Sequence, residues 1–280
     1  MFDSPVILAL FGGLITWTFT SLGSALVFIF FSEIKPKVLA TMYGFAAGVM
    51  TAASFWSLLA PSIELSSKMD LPKWIIPVCG FLLGSFFIWI LDKVMPHIHI
   101  VNGHEEKEGP KVQLSKSILL FLAITLHNIP EGLAVGVTFG AFSIGQSGIT
   151  LAAAMALTLG IGLQNFPEGA AVSLPLKTSG FSKLKAFSLG SLSGLVEPIA
   201  SIIGALTVTK LTLILPVALS FSAGAMIYVV IEELVPEAVA DEHNHFGVFG
   251  FIFGFAVMMI LDIAKELGKE NVMKKLPNEE

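Results

Sequence analysis

Residues 4–32 and 38–63 carry no charged side chain, and each run exceeds the roughly 20 apolar residues that a helix needs to span a bilayer. In hydrocarbon every backbone polar group must be satisfied within the protein, which leaves a helix bundle or a closed β-barrel. Barrel spans are about ten residues long with strict in–out alternation, and these runs are neither. The chain is 54% hydrophobic and 13% charged, about half the charged share of a soluble domain. An all-α integral membrane protein is the expected fold class. The first run is too long for a signal-peptide core and lacks a basic flank and a small-residue cleavage site, so it is expected to stay as a helix.

Hydropathy divides the 280 residues into eight expected transmembrane helices in a single domain, at approximately 5–31, 38–64, 73–95, 115–139, 148–176, 185–209, 213–235 and 246–267. The longest break, 96–113, contains His97, His99 and His104. With both termini outside, nine lysines (Lys35, Lys37, Lys93, Lys107, Lys111, Lys116, Lys177, Lys183, Lys185) fall in inner loops and three (Lys68, Lys73, Lys210) in outer ones. Cytoplasmic loops are the basic ones, so this orientation is preferred, although Lys265, Lys269, Lys274 and Lys275 of the tail reduce the contrast. The histidine loop then faces the cytoplasm. A compact chain of this kind is expected in the cytoplasmic (inner) membrane.

Within this apolar background stand two near-copies, Leu126-His127-Asn128-Ile129-Pro130-Glu131-Gly132 and Leu163-Gln164-Asn165-Phe166-Pro167-Glu168-Gly169. Glu131 and Glu168 bracket 36 consecutive uncharged residues, so no lysine lies near either in sequence. An ionised carboxylate persists in a membrane mainly where it faces the bundle interior and binds something. Residues four apart share a helix face, which stacks His127 on Glu131 and Gln164 on Glu168, with Asn128 and Asn165 alongside. Pro130 and Pro167 cannot donate the usual backbone bond, and such backbone is tolerated at membrane depth where it is packed or lines a polar cavity. Carboxylates, one imidazole and amides together suit a divalent first-row metal such as zinc, iron or manganese. Because imidazole ligates only when unprotonated, binding is expected to weaken in acid.

Glu197 is a third mid-span carboxylate, again followed by proline. Met50, Ser57 and Glu64 recur every seven residues on the second expected helix, nearly on one face of a straight helix. Glu232, Glu233 and Glu237 close the seventh. Each has a plainer account. Met50 fills core space, Ser57 bonds its own helix, a single buried glutamate can be a protonated packing contact, and the seventh-helix acids form a hydrated helix end. Cys79 is the single cysteine, and all basic residues are lysine. That excludes a disulfide framework within one chain and a bidentate arginine clamp, and nothing supports nucleic-acid binding.

The paired motifs, with Glu197, the Met50/Ser57/Glu64 series and the seventh-helix glutamates, resemble the ZIP (Zrt/Irt-like) metal transporters, in particular the bacterial branch called GufA-like. The resemblance implies a binuclear metal site between the fourth, fifth and sixth helices. His127, Glu131, Gln164 and Glu168 would line one position. Asn128, Glu131, Asn165, Glu168 and Glu197 would line the other. It further implies entry past Glu64, Ser57 and Met50, exit past Glu232, Glu233, His97 and His99, elevator motion of one helix block against another, and a homodimer. Zinc is the expected cargo, with iron, manganese and cadmium beside it, and no prosthetic group. Relatives often have Asp at the Asn165 position and a His-Glu pair where this chain has Glu232-Glu233. A metal-dependent intramembrane hydrolase and a proton-coupled organic-solute carrier are the competing readings. The first lacks a His-Glu-x-x-His pattern. The second leaves the imidazole and amides without a task.

Overall fold

The computed structural model describes residues 4–29, 35–94, 97–101, 104–108, 116–146, 149–210, 214–240 and 245–273. Helices α1 (Pro5–Ser24), α2 (Leu26–Ile29) and α3 (Pro36–Ala53) lead into a π-helical segment, Ser54–Leu59, continued by α4 (Ala60–Ser66) and α5 (Ile75–Val94). A hairpin comes next, β1 (His97–Val101) with β2 (His104–Glu108), then α6 (Lys116–Ser143), α7 (Leu151–Thr178), α8 (Lys183–Gly194) and α9 (Val196–Lys210). The chain ends in α10 (Leu215–Val229), a second π segment Val230–Leu234, α11 (Val235–Ala238) and α12 (Phe246–Met273). Proline opens α1 and α3, where its fixed φ suits a first helical turn and its missing N–H costs nothing. Thr150 and Ser182 cap α7 and α8 with their side chains.

Among the described residues, five helical stretches are long and apolar enough to cross a membrane: Pro5–Ile29, Pro36–Ser66, Lys183–Thr209, Leu215–Ala238 and Phe246–Ala264, with the shorter apolar Ile75–Leu91 beside them. The motif helices α6 and α7 have 28 residues each, enough length to span. Large apolar side chains point outward, among them Phe86 and Trp89 on α5 and Phe249, Phe253 and Ile260 on α12. A surface this greasy is suited to lipid rather than water. The protein is a multi-pass, all-helical membrane protein apart from its one described hairpin.

The helices form two bodies that also pack against each other, α3 and α12 on α7 and α10 on α6. In the first, α1, α6, α7, α8 and α9 pack on one another; in the second, α3 lies along α12 and α5 along α10. Backbone meets glycine at these contacts. A Cβ at Gly23 would strike the Phe166 carbonyl across α1–α7, and one at Gly136 the Ser201 carbonyl across α6–α9. In the second body Gly48 faces the Phe251 carbonyl and Gly84 the Phe221 carbonyl. Small residues let helices approach this closely in lipid. The seam between the bodies is different. Among the described glycines only Gly160 meets the opposite body, and there it meets side chains, those of Met258 and Val49. An apolar crevice of about 220 Å³, lined by Val137, Gly204 and Phe221 among others, lies along the seam between α6, α9 and α10.

Two features differ from the sequence expectation. The 96–113 connection contains an antiparallel hairpin, with His97 opposite Glu108, His99 opposite Glu106 and Val101 opposite His104. The Met50/Ser57/Glu64 spacing crosses the π segment, which turns less per residue than an α-helix and so rotates the residues beyond it. Met50 and Ser57 are buried, whereas the α4 residues that face inward are Ser62, Leu65 and Ser66, and Glu64 is exposed. The seven-residue face therefore does not extend to Glu64.

Candidate functional site

The motif residues come together deep in the first body. Asn128 and Glu131 on α6, Gln164, Asn165 and Glu168 on α7, and Glu197 on α9 are all buried. Pro130 and Pro167 lie inside continuous helices, so the backbone of each motif keeps its helical spacing. Glu197 sits in the first turn of α9, just beyond the break at Leu195 between α8 and α9. The positive end of a helix dipole favours a carboxylate there. Gly132 lies against the Glu197 backbone, which brings α6 and α9 into contact at the level of the carboxylates.

Hydrogen bonds join the three helices. The Gln164 amide donates to Glu131 Oε1. The Asn165 amide donates to both carboxylate oxygens of Glu197, each at 2.9 Å. Thr20 of α1 donates to Glu197 Oε1 at 3.4 Å, and the Asn128 amide donates to the Ser193 carbonyl at 2.9 Å. With the amide nitrogens committed in this way, the oxygens are left over. Among the described residues, Asn128 Oδ1, Glu131 Oε2, Gln164 Oε1, Asn165 Oδ1 and Glu168 Oε2 are buried without a hydrogen-bond partner. Buried polar atoms are ordinarily satisfied, and a cluster of five lacking donors is an environment short of positive charge. Glu131 is also within coulombic reach of both Glu168 and Glu197. Such a set of hard oxygens accepts a cation.

Among the described residues no three His, Cys, Asp or Glu side chains gather closely enough to hold a metal. Any cation here must draw on the amide oxygens, and on His127, whose side chain lies outside the described ones. The side chains of His97 and His99 lie outside them as well. Met50 is fully enclosed in the core. Ser57 donates to Asp262 Oδ1 at 2.7 Å. Glu232 and Glu233 fall within the second π segment and are partly buried. Two polar partners escaped the sequence reading, Thr20 and Asp262. Asp262 had a visible signal, as the one charged residue in the Phe246–Ala264 stretch. Thr20 had none, because α1 is rich in small polar residues that bond their own helix.

Comparisons with known proteins bear on the family of the chain. Residues 99–262 match the family model described as ZIP Zinc transporter. The chain is 40% identical to Zinc transporter ZIP11 of Xenopus tropicalis, across 93% of this chain and 98% of the relative. It is 37% identical to Zinc transporter GufA of Myxococcus xanthus, across 91% and 98%, and 35% identical to Zinc transporter ZIPB of Bordetella bronchiseptica, across 91% and 81%. With the family model covering more than half of its residues and these relatives matched nearly end to end, the chain belongs to the ZIP zinc transporter family.

Proposed function

We propose that this protein carries divalent transition metal ions, zinc foremost with iron, manganese and cadmium as further cargo, across the cytoplasmic membrane into the cell. It is a transporter and not an enzyme. The observation that carries the reading is the group of five buried side-chain oxygens on α6 and α7 that have no hydrogen-bond donor among the described residues. A passing divalent cation supplies the charge they lack. His127, Glu131, Gln164 and Glu168 bind the first ion. Asn128, Asn165 and Glu197, with the same two glutamates, offer a second and weaker position, because the Asn165 amide already occupies both Glu197 oxygens. Amide donors hold metal less firmly than thiolates or several imidazoles, which suits an ion that must leave again.

Eight spans result when α5, α6 and α7 are counted with the five longest apolar stretches, and both termini then lie outside. Ions enter past Ser57 and Met50 and leave toward Glu232, Glu233 and the hairpin, whose β1 packs against α6 and α11. The two bodies move against each other as an elevator, a reading supported by glycine-to-backbone contacts within each body and side-chain contacts between them. Reconstitution in proteoliposomes tests the proposal. Native protein is expected to accumulate Zn²⁺, and Glu131→Ala or Glu168→Ala to reduce the rate at least roughly a hundredfold, since each removes a charged ligand. Undiminished Zn²⁺, Fe²⁺, Mn²⁺ and Cd²⁺ flux in both variants would overturn it.

A further inference from the structure

Tyr43 stands on α3 beside the seam between the two bodies, and the proposed site makes no use of it. It is 6% exposed, and among the described residues its hydroxyl has no hydrogen-bond partner. The carboxylates with a coulombic influence on it are Glu237, Glu233 and Glu168, and its neighbour Gly44 lies against Gly247, which in turn meets Ala238 beside Glu237. Packing agrees independently, since α3 touches α7, the second π segment and α11, the elements that carry those three glutamates. Glu168 belongs to one body, and Tyr43, Glu233 and Glu237 belong to the other. Tyr43 also lies seven residues before Met50 within the unbroken α3, so the two share a face.

We propose that the Tyr43 hydroxyl is a way-station on the inward path, a neutral oxygen that takes the divalent cation from Glu168 across the seam and passes it to Glu233 and Glu237. The inference rests on the transport reading above. Passage through a series of sites requires that none of them hold the ion too tightly. An uncharged donor between two acidic stations meets that need, and it removes the step of moving a bare cation across an apolar seam. The phenol keeps its proton and offers a lone pair.

Tyr43→Phe removes the oxygen and keeps the ring. Initial rates of Zn²⁺ uptake into proteoliposomes over a range of concentrations, with equilibrium Zn²⁺ binding measured on the same proteins, test the role. The maximal rate is expected to fall roughly three- to tenfold, the scale of one lost polar contact. The half-saturating concentration, binding constant and stoichiometry are expected to stay native. Tyr43→His, which restores a neutral donor, is expected to recover rate. A Phe variant with native maximal rate overturns the inference, as does one that loses rate and equilibrium Zn²⁺ affinity together, or a His variant as slow as Phe. Glu168→Ala separates the two failures. If it transports like the native chain, the transport reading itself falls and takes this inference with it.

Discussion

Asn165 determines how much negative charge the buried site holds. Its amide nitrogen serves both oxygens of Glu197, so this chain keeps Glu197 satisfied where an aspartate would set two carboxylates against each other with Thr20 as the remaining donor. Asn165→Asp is expected to lower the stability of the metal-free protein by about 1–3 kcal/mol, the scale of a buried acceptor left without its donor. Added Zn²⁺ is expected to recover that loss, because a ligand bound only by the folded state stabilises it. Thermal unfolding with and without Zn²⁺ measures both, and a loss that zinc does not offset would leave Asn165 as a structural donor only. The burial of these polar side chains was legible at this scale. Glu131, Gln164, Asn165, Glu168 and Glu197 stand out because polar groups in hydrocarbon are too costly to be incidental. Which atom serves which was not legible, since a contact such as Thr20 to Glu197 joins residues 177 positions apart.

The two π segments show where reading by helical period fails. Each ends two residues before a proline, Leu59 before Pro61 and Leu234 before Pro236. A proline cannot donate to the carbonyl four residues back, and its ring crowds that position. The backbone instead forms wider turns, with the Ala60 N–H bonded to the Phe55 carbonyl and the Val235 N–H to the Val230 carbonyl. Pro130 and Pro167 sit in unbroken α-helix, so proline permits the π turn without forcing it. Segments of this kind often occur at functional positions, and these carry Ser57, Glu232 and Glu233. Pro61→Ala is expected to let the α-helical ladder close, turning Ser57 away from Asp262. Uptake of Zn²⁺ should fall while the unfolding temperature stays at or above native. Native flux in that variant would show that the π geometry is dispensable.

Across the whole molecule, glycine placement distinguishes rigid contacts from a seam that can slip. Gly136→Ala drives a Cβ into the Ser201 carbonyl, which cannot retreat, and is expected to destabilise the protein by about 1–3 kcal/mol through overpacking. Gly160→Ala meets the flexible Met258 side chain, so its stability should stay within about 0.5 kcal/mol of native while the uptake rate falls. Pairing it with Met258→Ala should restore the rate. Denaturation and flux measured on the three variants check the contrast, and equal destabilisation at both glycines would remove the case for a sliding seam. Charge-free runs and the doubled Asn-x-Pro-Glu-Gly element were enough by themselves to establish a helical membrane protein and to name its buried acids, because a bilayer penalises every unsatisfied polar group wherever it falls in the chain. Only the tertiary structure decided that five buried oxygens lack donors among the described residues, that Glu64 is exposed where Met50 and Ser57 are buried, and that the elements carrying Glu168, Glu233 and Glu237 pack on the helix of Tyr43. Those facts depend on how separate helices turn and approach one another, which no local spacing encodes.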